Sequence, residues 1–206
     1  MGVNMGSGYS QRRSKSKTEN PIFLLVCEGE KTEPQYFKQF QSRDYNFKIK
    51  CVTSGRKDPV GILIYAESLI KQMGLSEKKN DVVWCVFDKD RNTKTQICDA
   101  MSRCKSNFLT IAVSNPCFEI WYLWHFQDFS VCSTCIDTIE KVKTHIPKYC
   151  KNENFNDILS PLTTTALKRA RHIEKNYGES YHPADSNPSS QIFRIIDFLQ
   201  SKKRTC

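Results

Sequence analysis

The chain of 206 residues has no apolar run approaching the ~18–20 residues that a membrane-spanning helix needs. Its densest apolar stretch, CFEIWYLWHF at residues 117–126, is too short and carries Glu119 and His125. The N-terminal stretch MGVNMGSGYSQRRSKSK lacks the apolar segment of a secretion signal. The ten cysteines are therefore expected to be free thiols in a reducing cytoplasm rather than a disulfide framework. No stretch is rich enough in Gly and Ser to mark a flexible linker, and no internal repeat is present, so one α/β unit with a helical appendage is expected. Acid is also in short supply. With 31 Lys and Arg against 22 Asp and Glu the formal charge is +9, and much of the excess sits at the two ends, in Arg12, Arg13, Lys15 and Lys17 and in Lys202, Lys203 and Arg204. Basic arms of this kind suit a polyanion through phosphate neutralisation, and they are equally what solvated tails look like.

Between the arms, hydrophobic periodicity alternates. PIFLLVCEG (21–29), NFKIKCVTSG (46–55), DVVWCVFDKD (81–90) and FLTIAVS (108–114) read as strands. EPQYFKQFQS (33–42), with Thr32 or Glu33 as N-cap, DPVGILIYAESLIKQMG (58–74), with Asp58 as cap and Gly74 as stop, and TKTQICDAMSRCKSN (93–107) read as helices. Strands alternating with helices imply right-handed crossovers and a four-stranded parallel sheet with helices on both faces. From Asn115 onward only helices are expected: NPCFEIWYLWHF with Asn115 as cap, 134–146, 161–178, and 187–200 with Asn187 as cap and an Ile192, Ile195, Ile196, Leu199 stripe. The expected organisation is a basic arm over 1–20, an α/β core over 21–127 and a helical extension over 128–206.

In such a sheet ligands gather at the carboxyl ends of the strands. Two predicted strands end there in acid: the first in Glu28, the third in Asp88 and Asp90, which share a side if strand alternation continues. Either cluster alone is what a polar loop after a strand looks like, but both at equivalent ends favour a shared site. Packed carboxylates repel unless a cation sits among them. Hard oxygen ligands suit Mg²⁺ or Mn²⁺, which also bind substrate phosphates, and a spare carboxylate can serve as general base. Gly29 would let backbone approach a substrate closely. Glu119, in an otherwise apolar helix, needs a partner, whether a metal, a cation such as Lys31 or a core Arg, because burying a lone carboxylate costs several kcal/mol.

LVCEGEKTEPQYF, VVWCVFDKD, SNPCFEIWYLWHF and the closing NPSSQIFRIIDFL, in this order, resemble the RloB family, a TOPRIM-like group encoded beside restriction-modification and abortive-infection systems. The resemblance covers roughly residues 20 to 200. It implies a TOPRIM-like four-stranded parallel sheet in which Glu28 is the glutamate after the first strand, Asp88 and Asp90 are the D-x-D, and Glu119 is an additional acid, together holding Mg²⁺ or Mn²⁺ for phosphodiester chemistry. Lys31 would steady the phosphate. The implied activity is metal-dependent hydrolysis of DNA or RNA in anti-phage defence, with nucleic acid and other defence-system proteins as partners. The chain lacks room for the further domains of topoisomerases and primases, which favours hydrolysis. A non-catalytic nucleic-acid or nucleotide sensor is the alternative.

Cys132, Cys135, His145 and Cys150 have ligand types that suit zinc, but their spacing matches no zinc module, and four incidental groups are the default. Lys168, Arg169 and Arg171 form a basic helix face that could clamp a nucleic-acid backbone, with Tyr177 and Tyr181 near enough to stack on bases; a solvated face is the plainer reading.

Overall fold

The computed structural model of the protein describes residues 20–104 and 108–204, so nearly all of the predicted N-terminal arm lies outside the described residues. In chain order the main elements are β1 (Ile22–Cys27), α1 (Thr32–Phe37), β2 (Lys48–Thr53), α2 (Pro59–Met73), β3 (Val82–Asp88), α3 (Lys94–Arg103), β4 (Leu109–Asn115), α4 (Glu119–Phe126), α5 (Cys135–His145), α6 (Asn156–Leu159), α7 (Thr163–Tyr177), β5 (Ser189–Ser190) and α8 (Ile192–Ser201). The sheet order is β2-β1-β3-β4-β5. The first four strands pair in parallel, as the alternating pattern requires, and β5 adds a short antiparallel fifth strand that the sequence reading lacked. Among the described residues no helix is long and apolar enough to cross a membrane.

β1, β3 and β4 bury both faces, and the period of two divides their residues between two cores. Phe23, Leu25, Cys27, Trp84, Val86 and Ala112 face α1, α4, α7 and α8, while Leu24, Val26, Val83, Cys85, Phe87, Ile111 and Val113 face α2 and α3. The helices after residue 127 therefore share a core with the sheet, with Ile192, Ile195, Ile196 and Leu199 fully buried against it.

Helix boundaries follow local chemistry. Asp58 caps α2, accepting the Gly61 N–H at 2.7 Å, and Gly74 ends the helix at φ 61°. Thr93 and Gln96 form a reciprocal capping box on α3.

Three expected boundaries are corrected. The helix over 33–42 is shorter: α1 spans six residues and runs into a 3₁₀ turn at Lys38–Phe40, Lys31 occupies the cap position, and Thr32 and Glu33 are buried within the helix. Asn115 is not a cap but the last residue of β4, its side-chain amide facing the Pro183 and Ala184 carbonyls at 3.4 Å, so α4 starts four residues later. Asn187 is not a cap either, because its amide brackets the Ser133 backbone. The residues after it pair with β4, and Gln191 exchanges hydrogen bonds with Val113 through both backbone and side chain. That pairing satisfies the free edge of β4, and α8 begins only at Ile192.

Candidate functional site

Because β1 and β3 are neighbours, their carboxyl ends lie side by side, with Cys27 opposite Val86. The ladder extends one residue further, since the Glu28 N–H donates to the Val86 carbonyl at 2.8 Å. Glu28 in return accepts the Asp88 N–H on Oε2 at 3.2 Å. The turn after β3 is pinned to β4, as Lys89 N–H reaches the Ser114 carbonyl at 2.8 Å and Asp90 N–H the Pro116 carbonyl at 3.0 Å. Asp88 has the parity of Trp84 and Val86, which face the α1 and α4 side of the sheet.

On that side the first residue of α4, Glu119, and a residue in the first turn of α1, Glu33, complete the wall of a cavity of about 360 Å³. Glu28, Glu33, Asp88, Asp90 and Glu119 line it, and so do the exposed Lys31, Lys57, Arg91 and Lys151. The cavity thus has an acidic floor and a basic rim.

The acids repel one another in a desolvated setting. Burial pushes the Asp88 carboxyl well up, and the charges of Glu33, Glu119 and Glu28 push it further. Burial raises Glu28 as well, the Asp88 N–H opposing and the Asp90 charge adding. Glu33 is raised by burial to about 7, against the pull of its own and the Gly29 backbone N–H groups. Glu119 is 1% exposed. Its Oε1 accepts the Tyr149 hydroxyl at 2.8 Å and pairs with Lys151 Nζ at 3.1 Å. Burial works against the Lys151 ammonium, but the Glu119 carboxylate outweighs it and holds the lysine pKa up. Two oxygens in this wall, Asp88 Oδ1 and Glu119 Oε2, are buried and have no hydrogen-bond partner. An orphaned buried carboxylate oxygen is costly, and a cation between such oxygens removes the cost.

Of the predicted residues, Glu28, Lys31, Asp88, Asp90 and Glu119 all reach this cavity. Several details differ from expectation. β3 ends at Asp88, so alternation does not carry to Asp90, which sits exposed in the following turn 3.7 Å from Arg91. The partners of Glu119 are Tyr149 and Lys151 rather than Lys31 or a core Arg. Gly29 makes room for Glu33: its N–H donates to Glu33 Oε1 at 3.1 Å, and a Cβ on it would collide with that carboxylate.

Sequence reasoning missed Glu33 by treating it as a cap, and missed Tyr149 and Lys151 because they lie in an irregular segment far along the chain. The available signal for Glu33 was the spacing E-x-x-x-x-E from Glu28 into the first turn of a helix.

Among the described residues, one set of three metal-ligand atoms lies mutually within 4.8 Å, and it differs from both sets expected from the sequence: Cys117, Glu119 and Cys135. The neighbouring Cys135 thiol, with burial, raises Cys117, while the neighbouring Cys117 thiol lowers Cys135. The other candidate zinc ligands do not join them. Cys132 and Cys150 are exposed, and His145 bonds to Gln127 Oε1 at 3.0 Å while stacking on Phe126.

The predicted basic clamp is largely committed elsewhere. Arg169 donates to Asp128 and to the Trp124 carbonyl, both at 2.8 Å, and Arg171 pairs with Asp197. Tyr177 and Tyr181 lie near each other, with ring centroids 6.3 Å apart.

The sequence profile of the RloB-like protein family matches residues 23–199, which spans every element of the sheet and the cavity. No curated protein and no solved structure matches the chain significantly.

Proposed function

Since the chain belongs to the RloB-like protein family, and since its cavity sets an acidic floor beneath a basic rim, we propose that it is a divalent-metal-dependent nuclease of the TOPRIM type acting on DNA or RNA in anti-phage defence. The observation that carries the reading is the pair of orphaned buried oxygens, Asp88 Oδ1 and Glu119 Oε2, on residues lining one cavity. All-oxygen donors with a wet, open face suit Mg²⁺ or Mn²⁺.

Asp88 and Glu119 would hold the ion from the wall, Asp90 from the exposed turn, and Glu28 from the end of β1. When bound, the ion polarises a phosphoryl oxygen and offsets the charge developing there. Lys31, Lys57 and Arg91 draw the nucleic-acid backbone to the mouth and fix its phosphates, contacts that set position without reading base sequence. Glu28, held in place by the Asp88 N–H and raised by burial, accepts a proton from the attacking water as the water oxygen bonds to phosphorus. The bond from phosphorus to the leaving nucleotide oxygen then breaks, and that oxygen takes a proton from solvent. Tyr149 and Lys151 hold Glu119 through Oε1 and leave its other oxygen, Oε2, free for the ion.

The test is incubation of the protein with mixed DNA and RNA, with and without Mg²⁺ or Mn²⁺. Wild type is expected to produce shorter fragments only with metal, and Asp88→Ala/Asp90→Ala none. Metal-dependent cleavage that survives the double substitution overturns the assignment. Metal and nucleic-acid binding without any cleavage would favour the sensor.

A further inference from the structure

We propose that Cys117, Glu119 and Cys135 form a binding site for a thiophilic divalent ion of the Zn²⁺ class, beside the acid cavity, with which it shares Glu119. Cys117 lies in the turn between β4 and α4, Glu119 opens α4, and Cys135 opens α5 directly after its Thr134 capping box. Two of the three ligands thus come from a single turn, and the third is fixed by a capped helix.

Their ligand atoms all lie within 4.8 Å of one another. A tetrahedral site with metal–sulfur bonds of ~2.3 Å and metal–oxygen bonds of ~2.0–2.2 Å has ligand-to-ligand edges of roughly 3.5–3.8 Å, so a closure of at most about 1 Å completes it. Cys117 is fully buried and Cys135 half-buried, which leaves one side open to an incoming ion and to a water as fourth ligand.

A second, independent observation points the same way. Glu119 is nine-tenths buried and more, yet its Oε2 has no hydrogen-bond partner. Two thiolates and one carboxylate around a dication leave a single negative charge, and Lys151, 3.1 Å from Glu119 Oε1, answers it. Thiolate donors select Zn²⁺ and its soft relatives over Mg²⁺, so the ion bound here is of a different class from one held by carboxylates alone. The inference stands whether or not the cavity hydrolyses phosphodiesters.

Reduced full-length protein, stripped with a chelator and desalted, is titrated with Co²⁺ as a spectroscopic probe. A thiolate-to-cobalt charge-transfer band is expected to saturate at one ion per chain and to be displaced by one equivalent of Zn²⁺. Cys135→Ser should abolish the band while keeping the wild-type melting temperature, whereas Cys132→Ser and Cys150→Ser should retain it. Asp88→Ala/Asp90→Ala should also retain it, which separates this site from the proposed nuclease centre. Absence of the band in wild type, its persistence in Cys135→Ser, or its loss in Cys132→Ser would overturn the proposal.

Discussion

Replacing Glu33 by Gln tests the electrostatics of the cavity directly. Glu33 is 5% exposed, and burial lifts its carboxyl from the ordinary 4.5 to about 7. That difference corresponds to about 3 kcal/mol against the folded state once the group is ionised. Because the folded pKa is raised, the unfavourable contribution is absent below about pH 4.5, where both states carry the proton. It grows as pH rises and is complete above about pH 7. Gln keeps an acceptor for the Gly29 N–H, now 3.1 Å from Glu33 Oε1, and removes the charge.

In chelator-treated protein, Glu33→Gln is therefore expected to match wild type near pH 4.5 and to exceed it by about 3 kcal/mol at pH 8, or roughly 6–12 °C in melting temperature for a domain of this size. Urea titrations at matched pH values give the difference. Taking the variant minus wild type cancels His125, whose buried ring is lowered to about 4 and whose contribution changes in the opposite sense over part of the same window. A variant no more stable than wild type at pH 8, or a gain already complete at pH 4.5, refutes the account of Glu33 as a carboxylate held in place against its own repulsion.

Two other outcomes follow from the same geometry. Tyr149→Phe removes the hydroxyl that donates to Glu119 Oε1 at 2.8 Å, and urea unfolding is expected to show a loss of about 1.5–3 kcal/mol, the range for hydrogen bonds to charged groups. Ile195→Ala empties a fully buried position where α8 meets the sheet, so a loss of about 2–5 kcal/mol in a single cooperative transition is expected; a separate early transition would show that the last helix folds apart from the sheet.

How much of this was legible in the sequence depended on how local the cause was. The four parallel strands and α2 were legible because hydrophobic runs and the Asp58, Pro59 and Gly74 punctuation act within a few residues. The convergence of Glu28 with Asp88 was legible once β1 and β3 were taken as neighbours. The fifth strand was not, because a two-residue pairing leaves no periodicity and Asn-Pro ahead of an apolar stripe looks the same as a helix start. Glu33 was hidden for a related reason: an acid in the first turn of a helix is ordinarily a solvated cap or dipole partner, and only the packing of α1 against α4 buries it. Tyr149 and Lys151 reach Glu119 from a chain segment whose path no short-range pattern fixes.

The way the acids are held argues for a ligand more strongly than their number does. A surface cluster could relax by swinging its side chains into water, but these groups are fixed from several directions: Glu28 by the Asp88 N–H, Glu33 by the Gly29 N–H, and Glu119 by Tyr149 and Lys151. The restraint falls on one oxygen of Glu119 and leaves Oε2 bare, and it leaves Asp88 Oδ1 bare on the same wall. Hydrogen bonding to only half of a buried carboxylate lowers its desolvation cost without removing it, so the fold keeps a standing penalty that an apolar residue of similar size would avoid. Departures of this kind from local consistency are where binding and chemistry are found. Proton uptake by the raised Asp88 and Glu33 relieves part of that penalty, and a cation entering the cavity would relieve it without giving up the charge, while the exposed Lys31, Lys57 and Arg91 are suited to the anion that would arrive with it.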